Sequence, residues 1–179
     1  MSRLIAMIAI LASIVLVPAI SSAQGTDPDN TLLLDLKDGR VVIQLRPDLA
    51  PNHVERIKKL TREGFYDGLT FHRVIDNFMA QTGDPKGNGT GGSSEPNIAA
   101  EFTDTPFRRG TLGMARAADP NSANSQFFIM FADGDWLNGQ YTVFGEVVDG
   151  MQYIDNIALG EPPANPDKIV KMQIAADAQ

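Results

Sequence analysis

The sequence predicts a single, mainly β domain with two short helices, and three observations support this class. Short runs rich in Val, Ile and Phe alternate with loops rich in Gly, Pro, Asn and Asp. An Asp-Gly pair stands between two apolar runs, which is typical of a β-hairpin. Only two segments carry apolar residues at helical spacing. This pattern predicts an antiparallel sheet or a closed barrel.

The first predicted elements are a hairpin and a helix. The hairpin consists of two apolar runs and the turn between them, Thr31 to Leu36, Arg40 to Leu45 and Lys37-Asp38-Gly39. Pro51 suits a helix start, apolar residues follow it at helical spacing, and Gly64 is placed to end the helix. We expect His53 to be a solvated residue of this helix.

The remaining predicted elements are strands and one short helix. The β-prone runs are Phe71 to Gln81, Thr111 to Ala115, Phe127 to Phe131, Tyr141 to Val148 and a closing strand, Lys168 to Ile174. Met151 to Leu159 shows helical spacing of its apolar residues before Gly160. We therefore predict a second helix just before the closing strand.

The N-terminus predicts export. Arg3 precedes an apolar stretch from Leu4 to Ile20, and Ser21-Ser22-Ala23 has the small residues that a signal peptidase recognises. We predict a signal peptide over residues 1–23, a flexible lead-in over 24–30 and one domain over 31–179, located in the periplasm. A retained membrane anchor is the alternative, because the apolar stretch is barely long enough to span a bilayer.

Composition argues against several classes of protein. A formal net charge of −7 disfavours nucleic-acid binding, which depends on clustered Lys and Arg. The chain has no cysteine, so it can form neither disulfides nor a thiol redox centre. With only two histidines, a structural zinc site is not expected. We predict that the protein needs no metal and no cofactor.

Gly87 to Gly92 formally matches the glycine pattern of dinucleotide-binding turns. Such a turn must open directly into a helix whose N-terminus faces the pyrophosphate, whereas Ser93-Ser94-Glu95-Pro96 follows here. We interpret the segment as a glycine-rich loop that needs positive φ angles.

Arg73 is the most informative residue, because it stands inside the apolar run Phe71 to Gln81. A guanidinium is always charged, so apolar surroundings are costly unless a partner holds it or a reaction uses it. An edge-strand arginine that extends to water is the simplest explanation. The later aromatic segments Ser125 to Met130 and Tyr141 to Gly145 favour a functional role, since they could supply an apolar pocket beside the cation.

Four motifs in order resemble the cyclophilin family of peptidyl-prolyl isomerases. They are Phe-His-Arg-Val-Ile at 71–75, Phe-Met-Ala-Gln-Thr-Gly-Asp-Pro at 78–85, the glycine loop at 87–92 and Ser-Gln-Phe-Phe-Ile at 125–129. The resemblance runs from about Thr31 to the C-terminus. It implies a closed eight-stranded antiparallel β-barrel with an α-helix covering each open end. It also implies isomerisation of Xaa-Pro bonds in unfolded or partly folded exported proteins.

The resemblance assigns site residues as well. Arg73 would donate a hydrogen bond to the twisted prolyl amide, and Gln81 would orient Arg73. The proline pocket would be formed by Phe78, Met79, Phe128 and Leu137, closed on one side by Tyr141 and with Trp136 at its rim. Main-chain groups near Ala115 and Arg116, together with Gln126, would hold the peptide on either side of the proline.

Two of these positions depart from the best-known eukaryotic members, which have asparagine at Arg116 and histidine at Tyr141. Isomerase activity should survive, because the family uses main-chain contacts at the first position and Tyr141 keeps an aromatic face and a hydroxyl. Trp136 favours binding of cyclosporin, whereas Arg116 and Tyr141 leave its strength open. We expect a monomer without stable membrane association once the signal is removed.

Two other functions stay open on the sequence alone. A proline-binding module or holdase chaperone would bind Pro peptides without accelerating their exchange. Arg73 and Gln81 argue against it, since binding alone would not need both. An unrelated β-barrel carrier would leave the polar groups at the pocket unexplained.

Overall fold

A computed structural model describes residues 27–178. Its eight strands are, in chain order, β1 Thr31–Leu36, β2 Gly39–Leu45, β3 Arg73–Ile75, β4 Met79–Thr82, β5 Thr111–Met114, β6 Phe127–Met130, β7 Val143–Asp149 and β8 Lys171–Ile174. The α-helices are α1 Pro51–Arg62 and α2 Met151–Asp155, and three 3-10 helices span Pro28–Asn30, Asp135–Leu137 and Ala175–Asp177. The predicted signal peptide and most of the lead-in lie outside the described residues.

All strands pair antiparallel in one curled sheet, in the order β3-β4-β6-β5-β7-β2-β1-β8. The prediction of a closed barrel is wrong, because the edge strands β3 and β8 do not pair with each other. Val74 of β3 instead exchanges backbone hydrogen bonds with Gly160, and Thr70 forms an isolated bridge with Lys168. Loop residues therefore span the gap of a half-barrel.

The β1–β2 hairpin forms where the Asp-Gly signal predicts it. Leu36 pairs with Gly39, so Lys37 and Asp38 are the two turn residues. Gly39 also permits close packing by α2, because a Cβ atom at this position would lie 2.3 Å from the Tyr153 ring. In this hairpin β2 pairs with β7 and β1 pairs with β8, and its turn packs against α2.

The run from Phe71 to Gln81 is a hairpin and not one strand. β3 and β4 flank a turn in which Asn77 has φ 54°, a left-handed conformation that Asn tolerates better than most residues. Arg73 consequently pairs with Gln81 across the hairpin.

Helix α1 begins at Pro51 and packs Val54, Ile57 and Leu60 into the sheet interior. Gly64 follows its end with φ 68°, as expected for a C-terminal glycine. Helix α2 is shorter than predicted and ends at Asp155, with Ile154 buried against the sheet.

The prediction that His53 is solvated is wrong, because its side chain is fully buried. Its Nδ1 lies 2.6 Å from Glu101 Oε2, and Glu101 also accepts hydrogen bonds from the backbone N–H groups of Asn52 and His53. The first N–H groups of a helix lack partners within the helix. Glu101 supplies the cap that Ala50, which precedes the helix, lacks.

The apolar interior divides into two clusters. The barrel core fills the curl of the sheet beneath α1 and includes the buried aromatic residues Tyr66, Phe71, Phe127 and Phe144. The pocket cluster lies on the other side of β6 and consists of Met79, Phe107, Phe128, Met130, Leu137 and Val143, with partly buried neighbours that include Phe78 and Tyr141. Between residues 27 and 178, no helix has the length and apolar character needed to cross a bilayer.

Candidate active site

A small apolar pocket of about 130 Å³ opens above the pocket cluster. Its lining consists of Arg73, Phe78, Met79, Gln81, Ala115, Arg116, Phe128, Leu137 and Tyr141. Drug-sized ligands occupy cavities of roughly 300–1,000 Å³, so this pocket suits a single small apolar group.

Strand β6 builds the floor of this pocket. Successive strand side chains point to opposite faces, so Phe127 enters the barrel core while Phe128 faces the pocket. Phe107 stacks on Phe128 with ring centroids 5.7 Å apart, and Tyr141 meets Phe128 edge to face at 5.8 Å. Aromatic contacts on two sides thus fix the floor and one wall.

Arg73 brings a positive charge to the mouth of the pocket. Its side chain is 41% exposed, so the guanidinium loses its water only when a bound peptide covers it. Nη1 lies 3.5 Å from Gln81 Oε1, and Nε donates a shorter hydrogen bond of 2.7 Å to Glu161 Oε2. Both contacts hold the guanidinium beside an apolar cavity.

Gln81 links this cation to a second, polar groove. Its Nε2 donates to Gln126 Oε1 at 2.8 Å, and Gln126 Nε2 donates to the carbonyl oxygens of Gly89 and Gly91. The groove has a volume of about 480 Å³ and shares three lining residues with the apolar pocket, namely Gln81, Ala115 and Arg116. An extended peptide could therefore occupy both cavities at once.

Asp84 organises the glycine-rich loop that borders this groove. Its buried carboxylate accepts backbone N–H groups from Lys86, Asn88 and Gly89 at 2.8, 3.0 and 2.6 Å. Burial opposes ionisation, but these hydrogen bonds outweigh it and hold the pKa of Asp84 below its ordinary value. Gly87 and Gly89 have φ 65° and 86°, which supports a loop shaped by positive φ angles and not a phosphate-binding turn.

Arg116 and Tyr141 form one unit between the two cavities. The Arg116 guanidinium lies 4.6 Å above the Tyr141 ring, within cation–π range. Its Nη2 donates to the Gln140 carbonyl at 2.9 Å and its Nη1 to the Ala117 carbonyl at 2.9 Å. Arg116 thus holds the tyrosine wall in place.

Most of the residues assigned from sequence come together here. Nine of them line the apolar pocket, and Gln126 lines the adjoining groove. Trp136 does not line the pocket, but lies 61% exposed beside Phe78, with ring centroids 5.7 Å apart. Sequence reasoning missed Glu161 and the loop-forming role of Asp84. Asp-Pro before a glycine-rich loop was a usable signal for Asp84, whereas nothing local to residue 161 pointed to Arg73.

The site contains no evident metal-binding arrangement. Within residues 27–178, no cluster of three or more His, Asp or Glu side chains could hold a metal ion. What the pocket offers chemically is a fixed cation, hydrogen-bonding amides and an apolar floor.

Comparison with known proteins gives a consistent result. The family model described as cyclophilin type peptidyl-prolyl cis-trans isomerase/CLD matches residues 31–174. A probable peptidyl-prolyl cis-trans isomerase from Brucella suis is 57% identical over 177 residues, covering 90% of each chain. Peptidyl-prolyl cis-trans isomerase B from Bacillus subtilis is 43% identical over 129 residues, covering 70% of this chain and 89% of that relative.

Solved structures agree with these sequence matches. A cyclophilin from Hirschia baltica superimposes with a TM-score of 0.78 and 28% identity, covering 86% of this chain and 77% of that one. A cyclophilin-type isomerase from Cryptosporidium parvum, crystallised in the presence of the dipeptide Ala-Pro, gives a TM-score of 0.75 and 29% identity, covering 80% and 98%.

Proposed function

The chain belongs to the cyclophilin-type peptidyl-prolyl cis-trans isomerases, and we propose that it acts on exported, partly folded proteins with Arg73 as the group that polarises the prolyl amide. Enzymes of this family accelerate rotation about Xaa-Pro peptide bonds and bind proline-containing peptides. The observation that supports the mechanism is a guanidinium at the mouth of a pocket sized for one small apolar group.

The reaction has no covalent step. Rotation about a peptide bond costs about 18–20 kcal/mol, because the nitrogen lone pair is delocalised into the carbonyl group. Twisting the bond localises that lone pair on nitrogen, where it becomes a hydrogen-bond acceptor. A donor placed at this nitrogen stabilises the twisted state more than the planar one, and such differential stabilisation lowers the barrier.

The pocket and the groove supply the geometry for this step. Phe78, Met79, Phe128 and Leu137 would hold the proline ring, which fixes the amide nitrogen next to Arg73. Gln126 and the main chain near Ala115 and Arg116 would hold the residues on either side. The peptide covering Arg73 would displace its water, which strengthens the electrostatic interaction.

The cellular role rests on the N-terminal sequence. A signal peptide over residues 1–23 would deliver the protein to the periplasm, where newly exported chains fold and where slow Xaa-Pro exchange limits folding. Cyclosporin sensitivity and the monomeric state stay predictions.

Replacement of Arg73 by Ala tests the mechanism. Loss of a single transition-state donor typically costs about 10²–10³ in rate, and we expect a loss of this size in kcat/KM. The measurement is cis-to-trans exchange of an Ala-Pro peptide by NMR, with variants of the full-length chain.

Arg40→Ala is the matched control, because Arg40 pairs with Asp35 on the β1–β2 hairpin and takes no part in the pocket. Full exchange activity in Arg73→Ala would refute the mechanism. Peptide binding without accelerated exchange in the unaltered protein would favour the binding-module alternative.

A further inference from the structure

We propose that Glu161 positions the Arg73 guanidinium for catalysis, an inference that rests on the proposed function of Arg73. Glu161 makes the shortest contact of that guanidinium, with Oε2 2.7 Å from Nε. The Gln81 contact, at 3.5 Å, is at the outer limit for a hydrogen bond. A charge-assisted bond of 2.7 Å is the stronger of the two restraints.

The backbone places Glu161 opposite Arg73. Val74 N donates to the Gly160 carbonyl at 2.8 Å, and Gly160 N donates to the Val74 carbonyl at 2.9 Å. In an antiparallel pair of this kind, the residue before Val74 faces the residue after Gly160. The pairing therefore sets Glu161 against Arg73 and makes the loop after α2 part of the site.

Gly160 makes this approach possible. It has φ 145°, and a Cβ atom there would lie 2.6 Å from Pro163 Cα. Any other residue would strain the turn or push the loop away from β3. Gly160 thus lets the loop place the carboxylate of Glu161 beside Arg73.

The contact leaves the reactive side of Arg73 free. Glu161 engages Nε and Gln81 engages Nη1, whereas Nη2 makes no hydrogen bond within residues 27–178. Arg73 is 41% exposed and Glu161 52%, so packing alone does not fix the guanidinium. Glu161 is outside the lining of the pocket, so it acts through Arg73 and not on the substrate.

The test compares kcat and KM for exchange of an Ala-Pro peptide, measured by NMR on the full-length chain. An exposed ion pair has a modest energy, so Glu161→Ala should lower kcat about two- to fivefold with KM unchanged. Glu161→Gln should recover part of the loss, since its amide oxygen can still accept from Nε. The Arg73 Nε–H resonance should shift in both variants.

Asp155→Asn is the matched control. Asp155 forms an ion pair with Arg109 at 2.6 Å, similar in exposure and carried by the same connection between β7 and β8. It does not contact the pocket, and this variant should keep the kcat of the unaltered protein. The Arg73→Ala/Glu161→Ala double variant should be no slower than Arg73→Ala, because Glu161 acts through Arg73.

Three results would overturn the proposal. They are an unchanged kcat in Glu161→Ala, an increased kcat, which would show that the carboxylate holds Arg73 away from its catalytic position, and a further loss in the double variant. If Arg73→Ala loses turnover while Glu161→Ala does not, only this inference fails. If Arg73→Ala keeps full turnover, the proposed mechanism fails as well.

Discussion

Phe127 and Phe128 are adjacent on one strand but belong to different regions of the molecule. Phe127 is fully buried in the barrel core, where Tyr66 and Phe144 pack against it edge to face at 5.6 and 6.0 Å. Phe128 lies in the pocket cluster and borders an open cavity. One region is packed on all sides, and the other leaves one face for a ligand. Strand alternation thus separates the residues that stabilise the fold from those that bind substrate.

The largest expected effect is a loss of stability when the phenylalanine in the barrel core is replaced. Phe127→Ala should lower the free energy of unfolding by about 3–5 kcal/mol, because the ring leaves a cavity in a filled interior. Phe128→Ala should cost less, at the lower end of that range, because its ring already borders empty space. It should instead lower kcat/KM about tenfold, through lost contact with the proline ring.

Urea unfolding and NMR exchange rates, measured on both variants, separate the two effects. Equal losses of stability together with equal losses of turnover would show that the two clusters act as one unit.

A change of pH should act on the barrel region before the pocket. Burial lowers the pKa of His53, against the raising effect of Glu101. In the unfolded chain His53 binds a proton as pH falls below about 6.5, whereas in the folded protein it stays neutral to lower pH. The free energy of unfolding therefore falls as pH drops below about 6.5.

Protonation of Glu101 should lower the free energy of unfolding further at more acidic pH. Burial raises its pKa, but hydrogen bonds from His53 and Asn52 outweigh this, and the pKa lies below its ordinary value. Its stabilising effect is therefore present above about pH 4.3 and disappears as pH falls through the folded-state pKa. The urea midpoint of unfolding should fall as pH is lowered from 7.5 to 4, while turnover of the folded protein should stay constant down to pH 5.5. His53→Gln should flatten part of the stability profile, and an unchanged profile would contradict this assignment.

The smallest expected effect concerns the wall between pocket and groove. Arg116→Lys should raise KM about two- to threefold, because an ammonium group cannot both stack on Tyr141 and bond the Gln140 and Ala117 carbonyls. The free energy of unfolding should change by less than about 1 kcal/mol. Arg40→Lys, on the β1–β2 hairpin, is the control. A KM that is the same in both variants would mean that Tyr141 needs no support from Arg116.

Local signals in the sequence predicted much of the fold. Pro51 and Gly64 mark the ends of α1 correctly, and the turn at Lys37 and Asp38 gives the first hairpin. Each of these depends on backbone preferences of a few neighbouring residues. The family resemblance also named nine residues that line the pocket, and five of them lie within its motifs around Arg73 and Phe128.

The features that sequence could not predict depend on distant contacts. Glu161 meets Arg73 across 88 positions, and Glu101 meets His53 across 48. No local pattern encodes these contacts, so the sequence predicts neither the burial of His53 nor the contact of Glu161 with Arg73. Strand β6 has apolar side chains on both faces. Its sequence therefore does not indicate whether Phe127 or Phe128 faces the barrel core. The gap between β3 and β8 likewise depends on the loop that carries Gly160.

That gap makes β3 one of the two edge strands of the sheet, joined on one side to β4 and on the other only to loop residues. Local opening of a structure begins where few backbone bonds must break. The strand that carries Arg73 therefore has fewer backbone hydrogen bonds to break than an interior strand of the sheet. Two backbone hydrogen bonds between Val74 and Gly160 hold its outer side, and the free energy of global unfolding does not report on them.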